Sequence, residues 1–221
     1  MKYGVIFDMD GVIIDSEPIH IACEKEMFRR FGLVVSDDEH HTFVGTSDET
    51  LWSYMERRYG LPVQMDEAIR LTQVLYREYL EKTPIAPISG IPELIAKLAE
   101  NHFALALASS SPHDQIHHVL ESFGIRPYFQ ATVSGEEVEA GKPDPAIFLK
   151  AAQRVGVDPG HCLVIEDSYN GVTAAKNAGM TCIGFRNPNS GDHDLTRADK
   201  IVHSFREVSP GVIANLLQSR K

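Results

Sequence analysis

The 221-residue sequence predicts an α/β protein: an open parallel sheet with helices on both faces, interrupted after its first strand by an inserted helical module. Three observations carry this. Short, nearly continuous apolar runs recur along the chain, as expected of strands buried on both faces. Helical periods with start and stop residues separate them. One long stretch, residues 16–83, holds several helical periods and no convincing strand.

The first strand is read in YGVIF, residues 3–7. The inserted module follows, with helical periods in HIACEKEMFRRFG, DETLWSYMERRYG and MDEAIRLTQVLYREYLEKT. Its exit falls in TPIAPISGIP, where Pro84, Pro87, Gly90 and Pro92 punctuate the chain ahead of the helix ELIAKLAEN. The core is thus expected to comprise residues 1–15 and 84–221, and the helical cap residues 16–83.

The second strand is read from Phe103 to Ser109. In the helix after it Ser111 is expected to cap, Pro112 to take the first helical position and Asp114 to complete an S-x-x-D box, with Gly124 as the stop. The third strand is read from Ala131 to Gly135, followed by a helix capped by Asp144 and stopped at Gly156. The fourth runs from Cys162 to Asp167, and its helix ends at Gly179. A fifth spans Cys182 to Phe185, and a weaker one starts at Lys200. Strand and helix in alternation imply right-handed crossovers between parallel strands.

Composition narrows the partners. A formal net charge of −10 disfavours nucleic acid or an anionic membrane, which are bound through clustered Lys and Arg. It leaves room for a small phosphate ester, which needs only a local cation or two and a metal. Three widely spaced cysteines, Cys23, Cys162 and Cys182, exclude a disulfide framework or thiolate zinc site. With no signal-peptide pattern and no apolar run of spanning length, a cytoplasmic protein with no membrane partner is expected, and a monomer.

Ligands bind outside the carboxyl ends of the strands in such sheets, so the polar residues at those ends form one candidate site. In YGVIFDMDGVIIDSE the first strand delivers Asp8 and Asp10. Asp10-Gly11 between two apolar runs is also a hairpin signal, which leaves Asp8 unexplained. The second strand delivers Ser109, Ser110 and Ser111, the third is followed by Lys142, and the fourth ends in Glu166-Asp167. Carboxylates gathered at one rim need a divalent cation, and oxygen donors favour Mg²⁺. A serine hydroxyl with free amides at a helix start cradles an anion, and a lysine stabilises a phosphoryl oxygen. The set points to phosphoryl transfer through an aspartyl-phosphate.

FDMDGVIIDSEPIH, ALASSS, GKPDPAIFLKAA and VIEDSYNGVTAAKNAGM, in this order across nearly the whole chain, resemble the haloacid dehalogenase-like superfamily in its β-phosphoglucomutase-like branch. The resemblance implies a three-layer, Rossmann-like core with a small helical cap that closes over the site. It implies Asp8 as nucleophile and Asp10 as general acid and then base. Ser109 and Lys142 would hold the phosphoryl oxygens. Magnesium would take Asp8, the backbone carbonyl of Asp10, Asp167 and Glu166. A tight turn and β-hairpin flap after the nucleophile would aim Asp10.

His20 lies at the hinge into the cap, where the resemblance implies closure or substrate positioning. His113, His117 and His118, and the doublet His40-His41, lack the H-E-x-x-H pattern and read as surface histidines. Trp52, Tyr54, Tyr59 and Tyr76 fall at helical spacing and read as cap core.

Three reactions share this fold. A dehalogenase needs neither metal nor second acid, so Asp10, Glu166 and Asp167 argue against it. A sugar-phosphate mutase carries an arginine where Asp48 stands and a lysine near Leu75, and an acid at that position repels a second phosphate. Hydrolysis of a small phosphorylated metabolite, a sugar phosphate, is therefore expected, with Gly45, Thr46, Ser47 and Asp48 as the candidate specificity loop. A non-catalytic phosphate-binding or regulatory protein is the remaining alternative, disfavoured because every expected catalytic position is filled.

Overall fold

The computed structural model describes residues 2–44 and 46–219. Strands β1 (Gly4–Phe7), β2 (Ala104–Ser109), β3 (Ala131–Ser134), β4 (Cys162–Glu166), β5 (Thr181–Phe185) and β6 (Lys200–Val202) form one sheet in the order β3-β2-β1-β4-β5-β6. Every pairing is parallel. The helices are α1 (Glu17–Phe31), α2 (Asp37–His41), α3 (Asp48–Tyr59), α4 (Met65–Lys82), α5 (Ile91–Glu100), α6 (His113–Ser122), α7 (Ala146–Val155), α8 (Tyr169–Asn177) and α9 (Pro210–Gln218). This is a Rossmann-like α/β architecture.

The strands read as unbroken apolar runs because both of their faces are covered. Ile6, Ala106 and Val164 pack beneath α7 and α8 in one cluster with Phe148, Ala151 and Val172. Their neighbours Phe7, Leu107 and Ile165 point to the other side by strand alternation and are equally buried. There α5 lies on β2 and α9 on β4. Phe7 pairs with Ile165 on one side and Leu107 on the other, so the ends of three strands are level. The chain winds outward from β1 through β2 to β3 and then returns to β4 on the far side of β1. That reversal opens a crevice between the ends of β1 and β4.

The chain divides into two compact units: a core that runs to Asp15 and resumes at Ala86, and a helical unit from Ser16 to Ile85. The helical unit has its own core of Met27, Phe28, Leu51, Trp52 and Met55, with Leu75 packed against it. Trp52 meets Phe28 and Phe31 edge-on, each at 5.7 Å. Tyr54 and Tyr59 donate their hydroxyls to Glu39 at 2.9 and 2.5 Å. Helix α2 is too short to show a period and is visible in sequence only as Ser36 ahead of three acids; the Ser36 hydroxyl accepts from the Glu39 amide.

Local expectations fail in three places. The segment after Asp10 is a compact turn, not a β-hairpin: the Met9 carbonyl accepts from the amides of Val12, Ile13 and Ile14. Both edges of β1 are already taken by β2 and β4, which leaves no ladder for a returning strand. Ser111 does not cap α6, which starts at His113, and the His113 amide is instead satisfied by Glu136. His40 is not a surface residue. It is buried edge-on against Phe28 with Nε2 2.5 Å from Glu24.

Candidate active site

The crevice between β1 and β4 holds the acids. Asp8 continues β1 by one residue, its amide donating to the Ile165 carbonyl of β4 at 3.0 Å, and its side chain is buried. Glu166 and Asp167 leave β4 beside it, also buried. Oxygens of Asp8, Glu166 and Asp167 lie within 4.8 Å of one another, close enough to share one ion. Lys142, on the loop between β3 and α7, reaches in among them: Nζ is 2.5 Å from Asp8 Oδ1 and 2.8 Å from Glu166 Oε1. It lies 5.0 Å from the centre of the Phe148 ring, which shields it from water.

Three buried carboxylates against one ammonium leave an excess of negative charge. Burial pushes the Asp8 carboxyl up to about 7 against the pull of Lys142, with Glu166 and Asp10 adding to the rise. Asp167 is also raised, first by burial, then by Glu166 and Asp8. Burial works against the Lys142 ammonium, yet Asp8 and Glu166 outweigh it and leave its pKa raised. An all-oxygen cluster with uncompensated charge has the chemistry a hard divalent cation needs.

Two glycines make the cluster possible. Gly11 turns the chain with φ +73°, and a Cβ there would lie 1.8 Å from Asp167 Oδ2. Gly171, in the first turn of α8, lies directly over Glu166, whose Oε1 a Cβ would meet at 1.6 Å. Glu166 has no slack to yield, since Oε2 accepts from the Ser168 amide and hydroxyl at 2.8 and 2.9 Å while Oε1 holds Lys142. Gly171→Ala should therefore lower kcat/KM about 10²-fold by displacing that carboxylate, although alanine is worth about 1 kcal/mol more than glycine within a helix. Steady-state kinetics beside a thermal melt read this; a loss under twofold would contradict it.

Asp10 stands apart from the acid cluster. Its Oδ2 accepts from Ser111 Oγ at 2.7 Å and from Ser109 Oγ at 3.3 Å, and its Oδ1 is buried with no partner among the described residues. Ser109 is fully buried at the end of β2 and also accepts from the Ser111 amide at 3.0 Å. Ser110 is exposed on the same turn. In the helical unit His20 stacks on Tyr76 at 4.3 Å. Thr46 donates its hydroxyl to the Phe43 carbonyl, Ser47 caps α3 by accepting from the Thr50 amide, and Asp48 accepts from Gln73 at 3.4 Å. Gly45 lies outside the described residues.

Sequence reasoning missed two groups. Ser111 reads as a helix cap, but α6 starts two residues later at His113, and the Ser111 hydroxyl donates to Asp10. The other is Asn187-Pro188-Asn189-Ser190, after β5. Asn187 donates to the Gly11 carbonyl at 3.0 Å, and Ser190 packs beside Asp167 against Gly11. The signal was available, since β5 also ends at this rim and two asparagines and a serine follow it.

A family profile described as haloacid dehalogenase-like hydrolase matches residues 5–185, and the chain belongs to that family. It is a hydrolase by that membership. A "Phosphorylated carbohydrates phosphatase" of Thermotoga maritima is 32% identical over 191 residues, 80% of this chain and 82% of that protein. "Hexitol phosphatase B" of Escherichia coli strain K12 is 32% identical over 211 residues, covering 93% and 94% of the two chains. Among solved structures, a β-phosphoglucomutase from Clostridium difficile superposes with a TM-score of 0.81 over 100% of this chain and 99% of its own. At 24% identity that likeness shows the fold alone.

Proposed function

We propose that the protein is a Mg²⁺-dependent phosphatase that hydrolyses a small phosphate monoester, a sugar phosphate, through an aspartyl-phosphate on Asp8. The observation that carries this is Lys142 held between Asp8 and Glu166, with Asp167 within ligand range, at the reversal of the strand order. Relatives named for phosphorylated carbohydrates and hexitols support the substrate class.

In the first step an Asp8 carboxylate oxygen attacks phosphorus, the phosphorus–oxygen bond to the ester breaks, and the leaving alkoxide takes a proton from Asp10. In the second, water attacks the phosphorus of the acyl phosphate, its proton passes to Asp10, and Asp8 departs as carboxylate with inorganic phosphate released. Asp10 suits both transfers. Ser111 holds one oxygen at 2.7 Å, the single O–H of Ser109, at a longer 3.3 Å, turns to the phosphoryl group when substrate binds, and the unpartnered Oδ1 is left for the proton. Lys142 and Ser109 supply donors for the phosphoryl oxygens, and Ser110 offers a further hydroxyl at the same turn. Glu166 orients Lys142.

Asp8, Asp167 and the Asp10 backbone carbonyl would hold Mg²⁺, with Glu166 beside them. The ion, when bound, offsets the carboxylate charge and polarises the phosphoryl group. Metal-free protein should lose thermal stability as pH rises from about 4 to about 7, because the native state keeps a proton on Asp8 that the unfolded chain, near its ordinary 3.8, has already released. Added Mg²⁺ should raise Tm most at the alkaline end. A Tm gain that shrinks with rising pH would contradict the assignment.

Substrate choice is assigned to the helical unit, with His20 at its start and Gly45, Thr46, Ser47 and Asp48 as the selecting loop. Asp48 disfavours the second phosphate a mutase must grip. Among the described residues no helix is long and apolar enough to cross a membrane; a cytoplasmic monomer without nucleic-acid or membrane partners fits the net charge of −10. The test is phosphate release from a panel of esters, ranked by kcat/KM, with and without Mg²⁺. Sugar monophosphates should lead, and no release from any ester would overturn the reading. Efficient conversion of β-glucose 1-phosphate to glucose 6-phosphate, with a trace of the 1,6-bisphosphate, would overturn the choice of phosphatase over mutase.

A further inference from the structure

Four residues after β5 touch three parts of the core at once. Asn187, buried, donates through Nδ2 to the Gly11 carbonyl at 3.0 Å and lies 3.4 Å from Asp15 Oδ1. Asn189 Nδ2 donates to Asp15 Oδ2 at 2.6 Å. Ser190, buried, sits beside Asp167 against Gly11, where an added Cβ would meet Asp167 Oδ2 at 1.8 Å and Ser190 Oγ at 2.9 Å. The loop is braced on itself: the Asn189 amide donates to Asn187 Oδ1 at 2.9 Å, and the Asn187 amide to the Phe185 carbonyl at 3.0 Å. Asp15 is the last core residue before Ser16 opens the helical unit.

We propose that Asn187-Pro188-Asn189-Ser190 is a coupling clamp that ties the order of the Asp15 linker to cation binding at Asp167. The proposal rests on the reading of Asp8 and Asp167 as metal ligands. A short loop closed by its own hydrogen bonds transmits a restraint at Ser190 to Asn189 instead of dissipating it. A cation that fixes Asp167 confines Gly11 and Ser190, which pack beside it, and through them the loop whose Asn189 side chain grips Asp15. Linkage makes the effect reciprocal: a linker released from Asn189 must weaken cation binding by the same factor. Asn187, Asn189 and Ser190 are thus positioning residues.

Hydrogen exchange on the full chain, read by mass spectrometry with and without Mg²⁺, tests this together with calorimetric titration of the ion. In the wild type Mg²⁺ should slow exchange at residues 165–168 and also, about threefold or more, at residues 14–18. Asn189 is exposed, so Asn189→Ala should fold normally. It should keep the response at 165–168, lose it at 14–18, and bind Mg²⁺ about three- to tenfold more weakly. Asp15→Ala removes the other partner and should do the same, the double variant adding nothing further. A linker in Asn189→Ala that still responds as in the wild type, with an unchanged Kd, would overturn the clamp. So would a wild-type linker that stays silent while residues 165–168 respond. Absence of any Mg²⁺ binding to the wild type would instead remove the metal reading, and the clamp with it.

Discussion

Asp8→Asn should abolish hydrolysis of phosphate esters, lowering kcat at least about 10⁴-fold, while the protein stays folded. The amide occupies the volume of the carboxylate but cannot attack phosphorus, so no acyl phosphate forms. The fold should survive because Lys142 keeps Glu166 at 2.8 Å and the buried cluster loses one of its three mutually repelling acids. Metal-free Asp8→Asn should melt no lower than the wild type at neutral pH, since burial holds the Asp8 carboxyl near 7 and the amide carries no charge to desolvate. Aryl phosphate turnover and a thermal melt on the same preparation decide the point. Turnover within tenfold of the wild type would eliminate the covalent mechanism.

Lys142→Met should cost both stability and activity. Methionine fills the space beside Phe148 but leaves Asp8, Glu166 and Asp167 without their cation. Removing one partner from a buried ion pair typically costs about 3–5 kcal/mol, read here by denaturant melts of metal-free protein. Mg²⁺ should recover part of the loss, because it supplies positive charge to the same carboxylates. Losing a donor to the phosphoryl oxygens should lower kcat about 10²–10³-fold even at saturating Mg²⁺. Stability within about 1 kcal/mol of the wild type would mean that Lys142 does not neutralise the cluster.

The first five strands were legible because burial on both faces writes a signal that needs no long-range information: Val5, Ile6 and Phe7 are apolar without alternation, as are Leu105 to Ala108, whereas the half-buried β6 gives only a weaker run. The helix stops were legible for a similar reason, since Gly156 and Gly179 take the positive φ that other residues avoid. What could not be read locally was competition. Ser111 reads locally as a helix cap, and only the fold brings Asp10 within 2.7 Å of its hydroxyl. Asp10-Gly11 matches a hairpin, and only the sheet order shows that β1 has no free edge. His40 sits in a run of charged and polar residues that reads as exposed, and its burial depends on Phe28 and Glu24, both from α1. Asp8, Lys142, Glu166 and Asp167 were found by asking which residues end strands, and the structure brings those four together. The clamp residues were missed because that question was not carried on to β5.

The most direct test is to stop the Mg²⁺-dependent reaction with acid during turnover and map the trapped protein by peptide mass. One phosphoryl group on the peptide that contains Asp8, absent in Asp8→Asn, is the expected result. A phosphoryl group on any other residue, or none while the alcohol product is released in a burst ahead of inorganic phosphate, would contradict attack by the β1 carboxylate.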